Sequence, residues 1–180
     1  MFKSLKDYWK IYGGFKAIIK SDYFWIAVFF TLISYSTWLT PDWQSKFLGV
    51  IPSLLGFSLA GYAVWLTMGD QNLKKILSKK IINNNQSLFM IINASFIHFI
   101  VMQIFAFIGI IFLETNSIKM FINNNIITCK ILEKVFLFIE QTFNCIIFFL
   151  NIYSILVMFA AIFGLFSIAK AMDRIENQKE

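Results

Sequence analysis

Twenty-six consecutive residues, from Leu88 to Leu113, include no charged side chain. No other feature constrains the fold as strongly. About 20 apolar residues wound as a helix cross a hydrocarbon core of about 30 Å, where every backbone polar group must be satisfied inside the helix. Three more apolar runs, 23–39, 47–68 and 135–169, have comparable lengths. Hydrophobic residues make up 58% of the chain and charged ones 14%, against roughly 45–50% and about 25% in soluble domains. The expected fold is an all-α integral membrane protein. Four transmembrane helices (about 23–39, 47–68, 88–113 and 135–169) form one domain over 21–180, and an amphipathic interfacial helix over 1–20 precedes them.

In that first segment Phe2, Leu5, Tyr8, Trp9, Tyr12, Phe15 and Ile19 recur at helical spacing. Lys3, Lys6, Lys10, Lys16 and Lys20 fill most of the remainder. Such a helix lies in the interfacial plane, its apolar face buried and its lysines near anionic headgroups. Gly13 and Gly14 are where it bends or breaks. Two readings stay open, a plain anchor and a docking or sensing arm.

The first run is close to the minimum length for a span, and Pro41-Asp42 turns the chain after it, with Trp38 and Trp43 as interface aromatics. In the second run Gly49, Ser53, Gly56 and Ala60, with Gly61 beside them, form a smooth stripe suited to close helix packing. Pro52 removes a backbone donor and is the hinge candidate. The stripe reads either as bundle packing or as a hinged helix lining a pore. After Gly69-Asp70, residues 72–82 suit a short amphipathic helix, and Asn83 to Asn85 end it. No convincing strand is visible anywhere. The fourth run exceeds what a bilayer needs, so it tilts or projects beyond it.

Charge sets the topology. An even number of spans puts both termini on one side, together with the loop holding Lys74, Lys75, Lys79 and Lys80. Twelve basic residues then share that side against four on the other, which makes it the cytoplasmic one (N-in/C-in). The net charge of +6 therefore points to anionic lipid rather than to nucleic acid.

Chemistry is sparse. His98 is the only histidine, and Cys129 and Cys145 are too far apart for metal-ligand spacing, so no catalytic set, cofactor or metal site is expected. Polar residues within the spans are the better candidates, because each costs free energy there and tends to face protein or water. Glu140, Asn144 and Asn151 share one face of the fourth span, with Ser154 and Met158 roughly continuing it. Gln103 lies at a similar depth to Asn151 on the third span, with His98 further in. These residues read as interhelical hydrogen bonds, or as the lining of a narrow path between several copies of the chain. His98 reads as a neutral, bonded core residue or as a pH-responsive one.

The stretch Leu54-Leu55-Gly56-Phe57-Ser58-Leu59-Ala60-Gly61-Tyr62-Ala63, closing at Gly69-Asp70, resembles small four-span bacterial inner-membrane proteins that accompany phage-defence systems, the membrane subunit of Kiwa among them. The resemblance covers the first two spans. It implies a multi-pass protein of the bacterial inner membrane that oligomerises and senses envelope changes or permeabilises the membrane, often with a cytosolic partner. The expected function is thus a homo-oligomeric, channel-like effector or membrane-stress sensor in the lipid bilayer. The alternative is an anchor or adaptor that recruits a cytosolic protein through Lys74, Lys75, Lys79 and Lys80.

Overall fold

A computed structural model describes residues 2–67, 71–81, 84–115 and 130–177. The expected surface helix is two helices, α1 (Phe2–Tyr12) and α2 (Gly14–Lys20). They part at Gly13 and Gly14, whose φ angles of +101° and +62° lie in the left-handed region that glycine enters without a Cβ penalty. Helices α3 (Asp22–Ile33) and α4 (Tyr35–Leu39) fill the first run. Only Ser34 separates them, and the ladder bridges it, because Ser34 N–H donates to Phe30 O at 3.0 Å and Trp38 N–H to Ser34 O at 3.4 Å.

The second run holds α5 (Trp43–Leu48) and α6 (Ile51–Thr67). The interruption falls at Gly49 and Val50, ahead of Pro52. Pro52 itself sits in the first turn of α6, where its missing N–H has no intrahelical acceptor to lose. The break lies three and two residues before the proline, inside the membrane-length stretch Trp43–Thr67. A short α7 (Gln71–Leu77) fills only the first part of the helix expected over 72–82, whose Ile81 lies in a strand instead. The polar loop then contains what the sequence did not suggest, two antiparallel strands, β1 (Lys80–Ile81) and β2 (Asn84–Ser87), with Lys80 opposite Ser87. Pairing across so short a hairpin satisfies backbone groups that the polar side chains leave free.

Ser87 also opens α8 (Leu88–Glu114), its hydroxyl accepting the Met90 N–H at 3.3 Å. The last helix, α9, runs over Lys130–Glu176, starting before the expected Val135. Its 47 residues make about 70 Å of helix at about 1.5 Å per residue, so it extends well past any bilayer core. The apolar part of the outer loop (Met120, Phe121, Ile126, Ile127) and Cys129 lie outside the described residues.

Among the described residues three helical stretches are long and apolar enough to cross a membrane: Trp43–Thr67, Leu88–Glu114 and Lys134–Arg174. Helix α3 is apolar but shorter. Antiparallel α8 and α9 form the centre, with α3 against α9 and with α1, α5 and α6 against α8. At Gly109 the two central helices meet so closely that an added Cβ would lie 3.1 Å from Ile147 Cγ1. One apolar cluster (Ala27, Phe96, Phe99, Ile100, Tyr153, Val157, Ala161) packs the half nearer the arm. A second (Trp43, Ile51, Ile110, Leu113, Ile147, Phe148) packs the other half. In lipid such packing works through close van der Waals contact, since leaving water no longer drives it.

Candidate functional site

His98 lies on the face of α8 that the N-terminal arm covers, and its side chain is fully buried. Nδ1 is 2.9 Å from the Tyr8 hydroxyl of α1, and Nε2 is 3.0 Å from the Tyr153 hydroxyl of α9. A neutral imidazole has one N–H donor and one acceptor nitrogen, so one hydroxyl donates to the ring while the other accepts from it. Tyr12 stacks on the same ring with centroids 3.8 Å apart and planes 17° off parallel. One imidazole thus joins three helices that are far apart in sequence.

The arm is shaped for this contact. Tyr8 and Tyr12 are one turn apart and present a single face, while Phe2, Leu5, Phe15 and Ile19 remain exposed. Burial, with repulsion from Tyr12 second, pushes the Tyr8 hydroxyl up to about 12, and burial also raises that of Tyr12. Both stay neutral donors near pH 7. The cluster holds the arm in one register and rotation on the bundle.

The remaining polar candidates are inside the chain. Asn144 accepts from Trp43 Nε1 at 2.9 Å and Gln44 Nε2 at 3.0 Å, and donates to Glu140 O at 3.0 Å. Trp43 is 1% exposed and is therefore a core residue, not an interface aromatic. Asn151 donates to Ile147 O at 2.8 Å, and Ser154 donates to Asn151 O at 2.9 Å. Gln103 Nε2 approaches Met158 Sδ at 3.7 Å. The carbonyl oxygens of Gln103 and Asn151 are buried without a partner. Glu140 lines a polar recess of about 130 Å³ together with Asn144, Gln44, Glu114 and Asp42.

The small-residue stripe, with Gly49 just ahead of α6 and the rest on it, faces away from the bundle. Gly49, Ser53, Gly56, Ala60 and Gly61 are exposed, and a Cβ at Gly56 or Gly61 would meet nothing within 4 Å. Ile51 and Ser58 are the buried residues of this helix, and Leu54, Leu55, Tyr62 and Trp65 pack against the core beside them. Of the loop lysines, Lys74 donates to Leu66 O at 3.1 Å, and Lys75 and Lys79 are exposed. Lys80 is in β1. Cys145 is a half-buried free thiol.

Sequence reading singled out His98 but missed its partners. Tyr8 and Tyr12 looked like ordinary interfacial aromatics, and their spacing of four was the one available signal. No family model matches the chain, and no curated protein or solved structure is significantly similar to it.

Proposed function

We propose that the chain is a non-enzymatic membrane-stress sensor, with its N-terminal arm as the sensing element and the α8–α9 pair as the receiver. The observation that carries this reading is the Tyr8–His98–Tyr153 bridge, which ties a basic surface arm to both central helices. An arm held only by lipid would report nothing to the bundle. An arm held by directional hydrogen bonds has two distinct states, docked and released, and a change in lipid packing biases them by its different affinity for each. In the full proposal α3–α4 completes a fourth span, both termini are cytoplasmic in a bacterial inner membrane, and several copies assemble. The envelope disturbance of phage infection is the input that the resemblance to defence-associated proteins brings in.

The test uses full-length protein in nanodiscs, with both native cysteines replaced by serine and spin labels at Lys10→Cys and Lys170→Cys. Electron–electron double resonance measures the arm-to-bundle distance as lysophospholipid is added. A single short distance that gives way to a longer, broader one supports sensing. The same distribution in every bilayer overturns it.

A further inference from the structure

A half-open, mostly apolar cavity of about 710 Å³ lies where the arm meets the bundle, walled by α1, α2, α7, the start of α8 and the far half of α9. Its size falls within the roughly 300–1,000 Å³ typical of ligand sites. Ile92, Val157 and Ala161 make its floor apolar, and the hydroxyls of Tyr12, Ser95 and Ser167 interrupt the walls. Gly164 lines it too, and a Cβ there would meet nothing within 4 Å. The surrounding charge is positive on balance. Lys10, Lys16, Lys20 and Lys75 are exposed chain neighbours of lining residues, whereas the only carboxylates so placed are Asp22 and Asp173.

We infer that this cavity binds one anionic phospholipid, with an acyl chain along α8 and α9 and the phosphate among the lysines of α1, α2 and α7. An uncharged hydrophobe would use the floor but not the rim, and a free phosphate the rim but not the floor. The amphiphile uses both. Basic residues at a membrane surface attract anionic lipid by about 1 kcal/mol each, about fivefold in affinity. The site exists whether or not the arm senses the bilayer, because it needs only the docked structure.

Full-length protein is equilibrated with equimolar phosphatidylglycerol and phosphatidylethanolamine vesicles, purified in mild detergent, and its retained lipid is quantified by native mass spectrometry. The expected result is one phosphatidylglycerol per chain, displaced by Gly164→Trp and weakened by the smaller Gly164→Leu. Lys16→Gln with Lys20→Gln should keep a lipid but lose about 25-fold of the headgroup preference. Circular dichroism and gel-filtration profiles matching the wild type confirm that each variant folds; if Gly164→Trp does not, the leucine and lysine variants decide. Retention of detergent only, no preference for phosphatidylglycerol in the wild type, or lipid retention unaffected by filling at Gly164 overturns the site.

Discussion

Replacing Tyr8 by Phe, His98 by Phe, and then both together gives a cycle that isolates the arm's hydrogen bond. Tyr8→Phe leaves His98 Nδ1 without its partner at 2.9 Å when the arm is docked. His98→Phe leaves the Tyr8 hydroxyl, on a residue 7% exposed, without one. A buried polar group so orphaned costs about 1–3 kcal/mol, which is about 5–150-fold in the docking equilibrium. The Tyr153 contact does not enter, because His98→Phe removes it with the arm docked and with the arm free alike. Phe at 98 keeps an aromatic face for Tyr12, so the stack, worth about 0.5–1.5 kcal/mol, is largely retained. The double variant leaves neither group orphaned, and substituting both partners by apolar groups of similar shape is close to neutral. The lysophospholipid concentration that releases half the arm, read from the Lys10–Lys170 label distance, reports each equilibrium. Each single change should lower it strongly and the double change only slightly, so the coupling is close to the sum of the two single losses, about 2–6 kcal/mol. Losses that add, so that the double variant is the weakest of all, would refute the bridge as the element holding the arm.

Two further outcomes follow from the same packing. Gly109→Ala places a methyl 3.1 Å from Cγ1 and 3.3 Å from Cγ2 of Ile147, and closer still to its Cδ1; overpacking of this kind costs about 1–3 kcal/mol. Ile147→Val removes Cδ1 and should recover part of the loss, seen as a raised unfolding midpoint of the double variant relative to Gly109→Ala alone. For pH, the Tyr8 hydroxyl moves from its ordinary 10 to about 12 on docking, so its charged form is the one the docked state disfavours. Its contribution is therefore constant below about pH 10 and falls as pH rises from 10 to 12, by up to about tenfold per pH unit. Tyr8→Phe should flatten that alkaline slope in the same label-distance assay, and an unchanged slope would assign it to another group.

Most of the helical layout was legible because apolar runs of span length admit few alternatives in lipid. The break at Gly13-Gly14 and the short α7 were equally readable, the one from backbone chemistry and the other from the spacing of Leu73, Ile76 and Leu77. Facing was not. The spacing of Gly49, Ser53, Gly56 and Ala60 marks one side of the second run, yet periodicity says nothing about whether that side meets a helix of the same chain. In water an exposed smooth face would be penalised by its backbone; in lipid the penalty is slight, so the pattern is compatible with both outcomes. The partners of His98 were hidden for a different reason. Tyr8 lies 90 residues away and Tyr153 lies 55 away, and a tyrosine at a membrane surface already has a sufficient explanation in its amphipathic ring. The hairpin was missed because two and four residues are too few for an alternating pattern.

The inward placement of the polar residues bears on how such a chain would ever conduct. A path around an axis between several copies needs side chains on the outside of each chain, and Asn144, Asn151, Ser154, Gln103 and His98 are all buried within one. Asn144 and Asn151 also donate to carbonyls one turn earlier on their own helix, a local bond that pore water would have to replace. Wetting this stripe therefore means parting α8 from α9, which breaks the Gly109–Ile147 contact and opens both apolar clusters. Two features lower the barrier. The carbonyl oxygens of Gln103 and Asn151 are unpaired in the closed packing, and each such group costs about 1–3 kcal/mol that an entering water would relieve. Gln103 is also only five residues along α8 from His98, so a released arm would uncover the helix next to the place where the packing is least satisfied. A conductance built on this stripe would then depend on the arm, rising in His98→Phe and returning towards the wild-type level in the double variant with Tyr8→Phe. A conductance equal in all three would separate the arm from the core and leave the polar stripe a purely structural feature.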